Sequence, residues 1–236
     1  MSRKADKGIL IAIEGIDGAG KTTQMQLLCQ KLTELGFEPV CTKEPTRGKW
    51  GQMLRNSAQN GRFSPEQELN AFIEDRKEHV ANLIKPSLAE GKVIIVDRYY
   101  FSTVAYQGAH GMDPQKLLAM NEAFAPEPTL LVVLDIEPRM GLERIAQRGD
   151  TANLFENVEA LTKSREIFLS LKKPYLVTID ASKVPERIME EILHHFYQVA
   201  VEQYAHDESL SWEEKLNGVV QLYGGDPIRQ QHSDAP

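Results

Sequence analysis

The stretch Gly15-Ile16-Asp17-Gly18-Ala19-Gly20-Lys21-Thr22 limits what this chain can fold into more than any other. It follows an apolar run at 9–13 and opens a helical pattern at about Lys21. G-x-x-x-x-G-K-[ST] between a strand and a helix is the context a phosphate-binding loop needs. Its glycines let the backbone wrap an anion with the N–H groups turned inward. The following helix offers free N-terminal N–H groups and the positive end of its dipole to the same anion. In such a loop Lys21 reaches the β- and γ-phosphates of a nucleotide, and the Thr22 hydroxyl ligates Mg²⁺. Gly15, Ile16, Asp17, Gly18, Ala19, Gly20, Lys21, Thr22 and Thr23 are therefore the expected ATP-binding residues. The bland alternative, a chance glycine turn, has to explain why motif, buried strand and helix coincide.

Four more strand-length runs follow, at 39–43, 93–97, 130–135 and 175–180, with helical patterns between them. The first helix carries Met25, Leu28, Leu32 and Leu35 on one face and stops at Gly36. Ser64-Pro65-Glu66-Gln67 starts a long helix, with Ser64 as N-cap and Gln67 closing a capping box. Pro86 is expected to kink or end that helix. Strands alternating with helices predict an α/β fold: a five-stranded parallel sheet with helices on both faces. Right-handed crossovers bring the C-terminal ends of all strands to one edge, where open α/β sheets bind ligands. Asp17, Glu44, Asp97, Arg98 and Asp135 gather there. Residues 1–204 read as one domain. Residues 205–236 read as a polar extension, peripheral or partly disordered, with docking on a partner subunit as the alternative.

Lys and Arg number 27 against 34 Asp and Glu, a formal net charge of −7, which argues against non-specific nucleic-acid binding. No run is long and apolar enough for a signal peptide or a membrane span. The two cysteines, Cys29 and Cys41, are expected as buried free thiols in a reducing compartment, so the cytoplasm is the expected location.

A second constellation closes the 93–97 strand. Asp97 there can hold the Mg²⁺ shell as a Walker-B acid does. Arg98 beside it can bridge two phosphates with its planar fork. A plain salt bridge at a strand end is the alternative, weakened by the phosphate loop on the neighbouring strand.

The phosphate loop, then Phe72-x-x-x-Arg76-x-x-His79, then Asp97-Arg98-Tyr99-x-x-Ser102-x-x-Ala105-Tyr106-Gln107-Gly108, resembles thymidylate kinase in order and spacing over roughly 8–200. The resemblance implies a three-layer P-loop fold with a small lid at about 144–157, and transfer of phosphate from ATP to dTMP with Mg²⁺. It implies a homodimer through helices flanking the third strand. It also implies that Phe72 stacks on thymine and Arg76 donates to the base O4, with Thr103 and Gln107 nearby. Ser102 and Glu44 belong to the same acceptor site. Tyr106 sits against the ribose 2′ position, and Asp17 accepts from the 3′-hydroxyl. Arg98 touches both the acceptor phosphate and the transferred one. Arg144 and Arg148 fall in the lid. Lys21, Arg98, Asp17 and Arg148 are the expected catalytic residues, and Thr22 and Asp97 the metal ligands.

Each reading has a plainer rival. Phe72 can be core, Arg76 a surface charge, Tyr106 and Gln107 helix caps, and Arg144 and Arg148 a solvated face. His79 and the His194-His195 pair lack metal-ligand company. Two departures from the family pattern stand out. Many bacterial members read Arg-Glu-Pro-Gly-Gly-Thr where this chain reads Lys43-Glu44-Pro45-Thr46-Arg47-Gly48. Thr151, not arginine, follows Asp150, so Arg47, Lys163 or Arg165 are candidates to share the lid's role. Another nucleoside or nucleotide kinase, with Glu44 as base for a hydroxyl acceptor, is the alternative enzyme. A P-loop switch is the alternative class, against which stands the absence of an Asn/Thr-Lys-x-Asp guanine motif.

Overall fold

The computed structural model describes residues 8–60, 63–147 and 154–206. Five parallel strands form one sheet: β1 (Ile9–Glu14), β2 (Val40–Lys43), β3 (Val93–Asp97), β4 (Leu130–Asp135) and β5 (Leu176–Asp180), in the order β2-β3-β1-β4-β5. β1 and β3 pair from Ile9↔Val93 to Ile13↔Asp97, and both are buried along their whole length. That is why they read as unbroken apolar runs. β2 and β5 are edge strands and alternate or thin out in burial.

α1 (Lys21–Glu34) and α9 (Pro185–His206) pack together over one face of the sheet. α5 (Tyr100–Ala109) and α8 (Leu154–Ser170) pack together over the other. Leu28 and Leu32 of α1 are fully buried, and Phe37 meets Phe196 edge to face at 5.6 Å. The sheet interior, from Leu10 to Val96 and Leu131, completes a single core. α9 runs two residues past the expected domain boundary at 204; the stretch 207–236 lies outside the described residues. Among those described, no helix is long and apolar enough to cross a membrane.

The segment after β2 holds α2 (Lys49–Asn60) and α3 (Pro65–His79). Ser64 caps α3 as its sequence demands: its Oγ accepts from the Gln67 N–H at 3.3 Å, and the Gln67 side chain accepts from the Ser64 N–H at 3.0 Å. Pro86 does not end the helical run. A π turn at Val80–Ile84 intervenes, with the Lys85 N–H bonded to the Val80 carbonyl, and α4 (Lys85–Ala89) continues from it. The wider turn accommodates a residue that has no N–H to give and whose ring crowds the preceding turn.

The cysteines correct the reading of buried free thiols. Cys29 on α1 and Cys41 on β2 form a disulfide, their Cα atoms 6.5 Å apart. Cys41 is exposed, because β2 is the sheet's edge. α1 packs on that edge strand and brings two residues 12 apart in sequence within bonding reach. Only the packing, not the spacing, carried this information.

Candidate active site

β1 delivers the chain to the phosphate loop, and backbone geometry there demands glycine. Gly15 has φ 136°, and a Cβ on it would lie 2.5 Å from the Leu134 carbonyl oxygen. Gly18 has φ 82°, and its Cβ would lie 2.2 Å from the Gly141 carbonyl oxygen on α7 (Pro138–Gln147). α1 then starts with Gly20 as N-cap, no capping side chain and no acid in the first turn. Its first N–H groups are left for an anion. They border a cavity of about 130 Å³ lined by Asp17, Gly18, Gly20, Lys21, Thr22, Thr23, Asp97 and Arg98.

Lys21 is 6% exposed, and its Nζ donates to the Gly15 and Ile16 carbonyls at 2.9 and 2.7 Å. Burial, with Arg98 adding to it, pushes the ammonium down to about 7, while Asp17, Asp97 and Glu14 pull the other way. The Thr22 hydroxyl donates to Asp97 Oδ2. The other oxygen, Asp97 Oδ1, is buried without a partner. A hydroxyl beside an orphaned carboxylate oxygen suits Mg²⁺, which takes one or two protein oxygens and fills its octahedron with water and phosphate. Among the described residues no group of three or more His, Cys, Asp or Glu forms a self-sufficient metal cage.

A second cavity, about 230 Å³, opens beside the first. Asp17, Glu44, Phe72, Arg76, Arg98, Ser102, Thr103, Tyr106 and Gln107 all line it, so every residue expected to hold the acceptor converges on one cleft. Phe72 lies outside the core cluster, half-buried at the cleft wall. Arg76 is 1% exposed rather than a surface charge. Its Nε and Nη2 reach Glu44 Oε2 at 2.8 and 2.7 Å, Nη2 also reaches Thr103 Oγ1 at 3.1 Å, and Nη1 reaches Asn121 Oδ1 at 2.6 Å. Four of its five N–H groups are thereby committed, leaving one on Nη1. The other oxygen of Glu44 meets His79 Nδ1 at 2.9 Å, and His79 Nε2 meets Thr42 Oγ1 at 2.9 Å. His79 is thus a core histidine with both nitrogens paired. Gln107 donates from Nε2 to Glu68 at 3.2 Å, which turns its unpaired, buried Oε1 the other way.

Arg98 joins the two cavities. It is the single non-glycine residue with positive φ among the described residues, at 69°. Its guanidinium donates to Asp17 Oδ1, reaches Ser102 Oγ at 3.3 Å, and lies 5.3 Å from the Tyr106 ring centre. Burial opposes the Asp17 charge, but Arg98 and Lys21 outweigh it and hold that carboxyl below its usual range. Burial pushes the Tyr106 phenol well up, so it stays protonated, and its hydroxyl lies close against Arg98 and Asp17. An aromatic wall, a fixed guanidinium and a polar amide on one side, with an anion cradle on the other, can hold a planar base and two phosphate groups in one line.

The family model for thymidylate kinase matches residues 13–192. The chain belongs to the thymidylate kinase family. A thymidylate kinase of Xylella fastidiosa (strain M12) is 50% identical over 186 residues, covering 79% of this chain and 85% of that protein. One from Xanthomonas campestris pv. campestris (strain B100) is 49% identical over 184 residues, 78% of this chain and 81% of the relative. One from Akkermansia muciniphila is 47% identical over 186 residues, 79% and 90% respectively.

Not every residue suggested by the thymidylate kinase pattern reaches the cleft. Arg144 sits in the last turn of α7 and lines neither cavity. Arg148 lies outside the described residues. Lys163 is paired with Glu159 at 2.8 Å, and Arg165 with Asp135 and Glu137, so two of the three substitutes for a lid arginine are engaged elsewhere; the third, Arg47, lines neither cavity. Asp135 accordingly holds α8 rather than facing the cleft. The variant loop after Glu44 is fastened by Asp75, which accepts from the Thr46 N–H and hydroxyl at 2.7 and 2.6 Å. Sequence reasoning missed Glu14, Glu68, Asp75 and Asn121. An acid ending a fully apolar strand was the available signal for Glu14; the others carry no local mark.

Proposed function

We propose that this chain transfers the γ-phosphoryl group of ATP to dTMP, giving ADP and dTDP for deoxynucleotide synthesis. The observation that carries this is that the anion cradle and the base cleft share Asp17 and Arg98, so donor and acceptor phosphates meet beneath one guanidinium. The family membership supports the same reaction.

The transition state spreads charge over the transferred oxygens, so positioning and cations dominate. Lys21 and the first N–H groups of α1 bind the donor phosphates. Arg98 bridges donor and acceptor. Thr22 and Asp97 would hold Mg²⁺, which would neutralise charge on the donor phosphates when bound. Phe72 stacks on thymine, the last N–H of Arg76 reaches O4, and Gln107 Oε1 accepts from the ring N–H. Tyr106 crowds the ribose 2′ position. The acceptor is already a phosphate oxygen, so no general base is needed. Both oxygens of Glu44 are committed to Arg76 and His79, which disfavours Glu44 as base for a hydroxyl acceptor.

The expected setting is the cytoplasm, on the ground of the ATP and dTMP this reaction consumes, since the free-thiol argument for it falls with the Cys29–Cys41 disulfide. The expected assembly is a homodimer through the helices flanking β3, and the net charge of −7 gives no footing for nucleic acid. The test of the reaction is coupled ADP release with dTMP, dUMP, dCMP and dAMP. A missing methyl costs only about 1–3 kcal/mol, so dUMP should be roughly 10- to 200-fold poorer than dTMP. Cytosine and adenine leave Arg76 or Gln107 unpaired and should be poorer still. A preference for dCMP would overturn the base assignment.

A further inference from the structure

Glu14 is fully buried at the end of β1 and lines neither cavity, yet both of its oxygens serve one turn. Oε1 accepts from the Tyr99 N–H at 2.7 Å and the Ser102 N–H at 3.1 Å; Oε2 accepts from Ser102 Oγ at 2.6 Å. A buried carboxyl is costly unless its lone pairs are filled, and here one element fills them.

Two further facts say what the arrangement achieves. α5 begins at this turn with Tyr99 as N-cap and no capping side chain of its own. Glu14 supplies the missing cap from another strand, an acid at a helix N-terminus. Second, the Arg98 N–H is bonded to the Ile13 carbonyl at 3.0 Å. Successive residues of β1 thus grip Arg98 and the residue after it, which fixes the left-handed turn at Arg98. The next residues along β1 are the phosphate loop itself. Because Ser102 Oγ donates to Glu14, its lone pairs face the Arg98 guanidinium.

We infer that Glu14 is a positioning residue for phosphoryl transfer: by hydrogen-bonding the 99–102 turn it registers the Arg98 guanidinium against the phosphate loop. The inference rests on the role proposed above for Arg98. Burial raises the Glu14 carboxyl to about 7, against hydrogen bonds from Ser102 and Tyr99 and the nearby charges of Arg98 and Lys21. The positional role survives protonation, since an acid's carbonyl oxygen still accepts both N–H groups and its O–H can donate to a rotated Ser102 hydroxyl.

Two variants separate reach from charge. Glu14→Gln keeps the reach and loses the charge; Glu14→Asp keeps the charge and retracts the acceptors by one methylene. Misplacement by about 1 Å can cost 10²-fold in rate. The expected results are a Gln variant within about threefold of wild-type kcat, and an Asp variant down at least about tenfold in kcat with KM for ATP changed by less than about threefold. In an Arg98→Ala background the same Asp change should cost under about threefold, because the group it registers is gone. An Asp variant at wild-type kcat, or an Asp penalty undiminished without Arg98, overturns the inference while leaving Arg98's own role intact. Arg98→Ala at wild-type rate sinks both. Should the Asp variant not fold, the Gln variant decides: retained kcat is the conservative rescue that positioning requires, and a loss beyond tenfold rejects it.

Discussion

Replacing Arg98 with glycine should separate stability from catalysis. The residue sits at φ 69°, a conformation that costs an L-residue about 1–2 kcal/mol and glycine nothing. Glycine's extra freedom in the unfolded chain takes back about 0.5–1 kcal/mol. The ion pair lost is weak: the Arg98 and Asp17 side chains are 24% and 47% exposed, and at that exposure a pair contributes about 0–1 kcal/mol. These terms nearly cancel, so the melting temperature should stay within about 4 °C of wild type. Arg98→Ala keeps the strained backbone and should melt below the glycine variant. Catalysis behaves otherwise. Losing one well-placed transition-state cation should cost on the order of 10²–10³ in kcat. Coupled ADP release at saturating ATP and dTMP reads the rate, and thermal unfolding of the same samples reads stability. A kcat within threefold of wild type would remove Arg98 from the mechanism. A kcat loss that tracked a collapse in melting temperature would make its role structural.

Three further outcomes follow from the same geometry. Asp97→Asn should raise the Mg²⁺ concentration needed for half-maximal rate by about 10- to 100-fold, and an unchanged requirement would take Asp97 out of the metal's shell. Tyr106→Ala should reduce the preference for dTMP over its ribonucleotide counterpart by roughly tenfold; undiminished preference would mean that another group guards the 2′ position. Glu14→Gln should change how stability varies with pH. Burial raises the folded Glu14 carboxyl from 4.5 to about 7, so in that window the native state holds a proton the unfolded chain has lost. Wild-type stability from this group therefore falls as pH rises through the window, and by pH 8 the fold carries a buried anion. The variant should gain on wild type by about 1–3 kcal/mol between pH 5 and pH 8 in urea unfolding, whereas parallel curves would mean that Glu14 titrates normally.

What could be read from the residues was what local physics specifies. The phosphate loop, the apolar β1 and β3, and the Ser64–Gln67 capping box depend on neighbours within a few positions, and the structure has each in place. Strand-end logic then gathers Glu44, Asp97 and Arg98 at one sheet edge from the sequence alone. What stayed hidden depends on partners far along the chain. Glu14 meets Ser102, Arg76 meets Asn121, and Cys29 meets Cys41 only because strands and helices pack in a given order. Arg165, one of three candidates to share the lid's role, is held by Asp135 and Glu137, neighbours 30 and 28 positions away in sequence. Pro86 signalled a kink or an end, and the π turn that lets the helical run continue past it leaves no sequence mark of its own.

The most direct measurement is a crystal structure with dTMP and a non-hydrolysable ATP analogue bound together. The account predicts the polyphosphate against the backbone N–H groups ahead of Lys21, thymine between Phe72 and Arg76, and Arg98 in contact with both the terminal donor phosphate and the acceptor phosphate. An acceptor phosphate out of reach of Arg98, with the base seated away from Phe72, would contradict it.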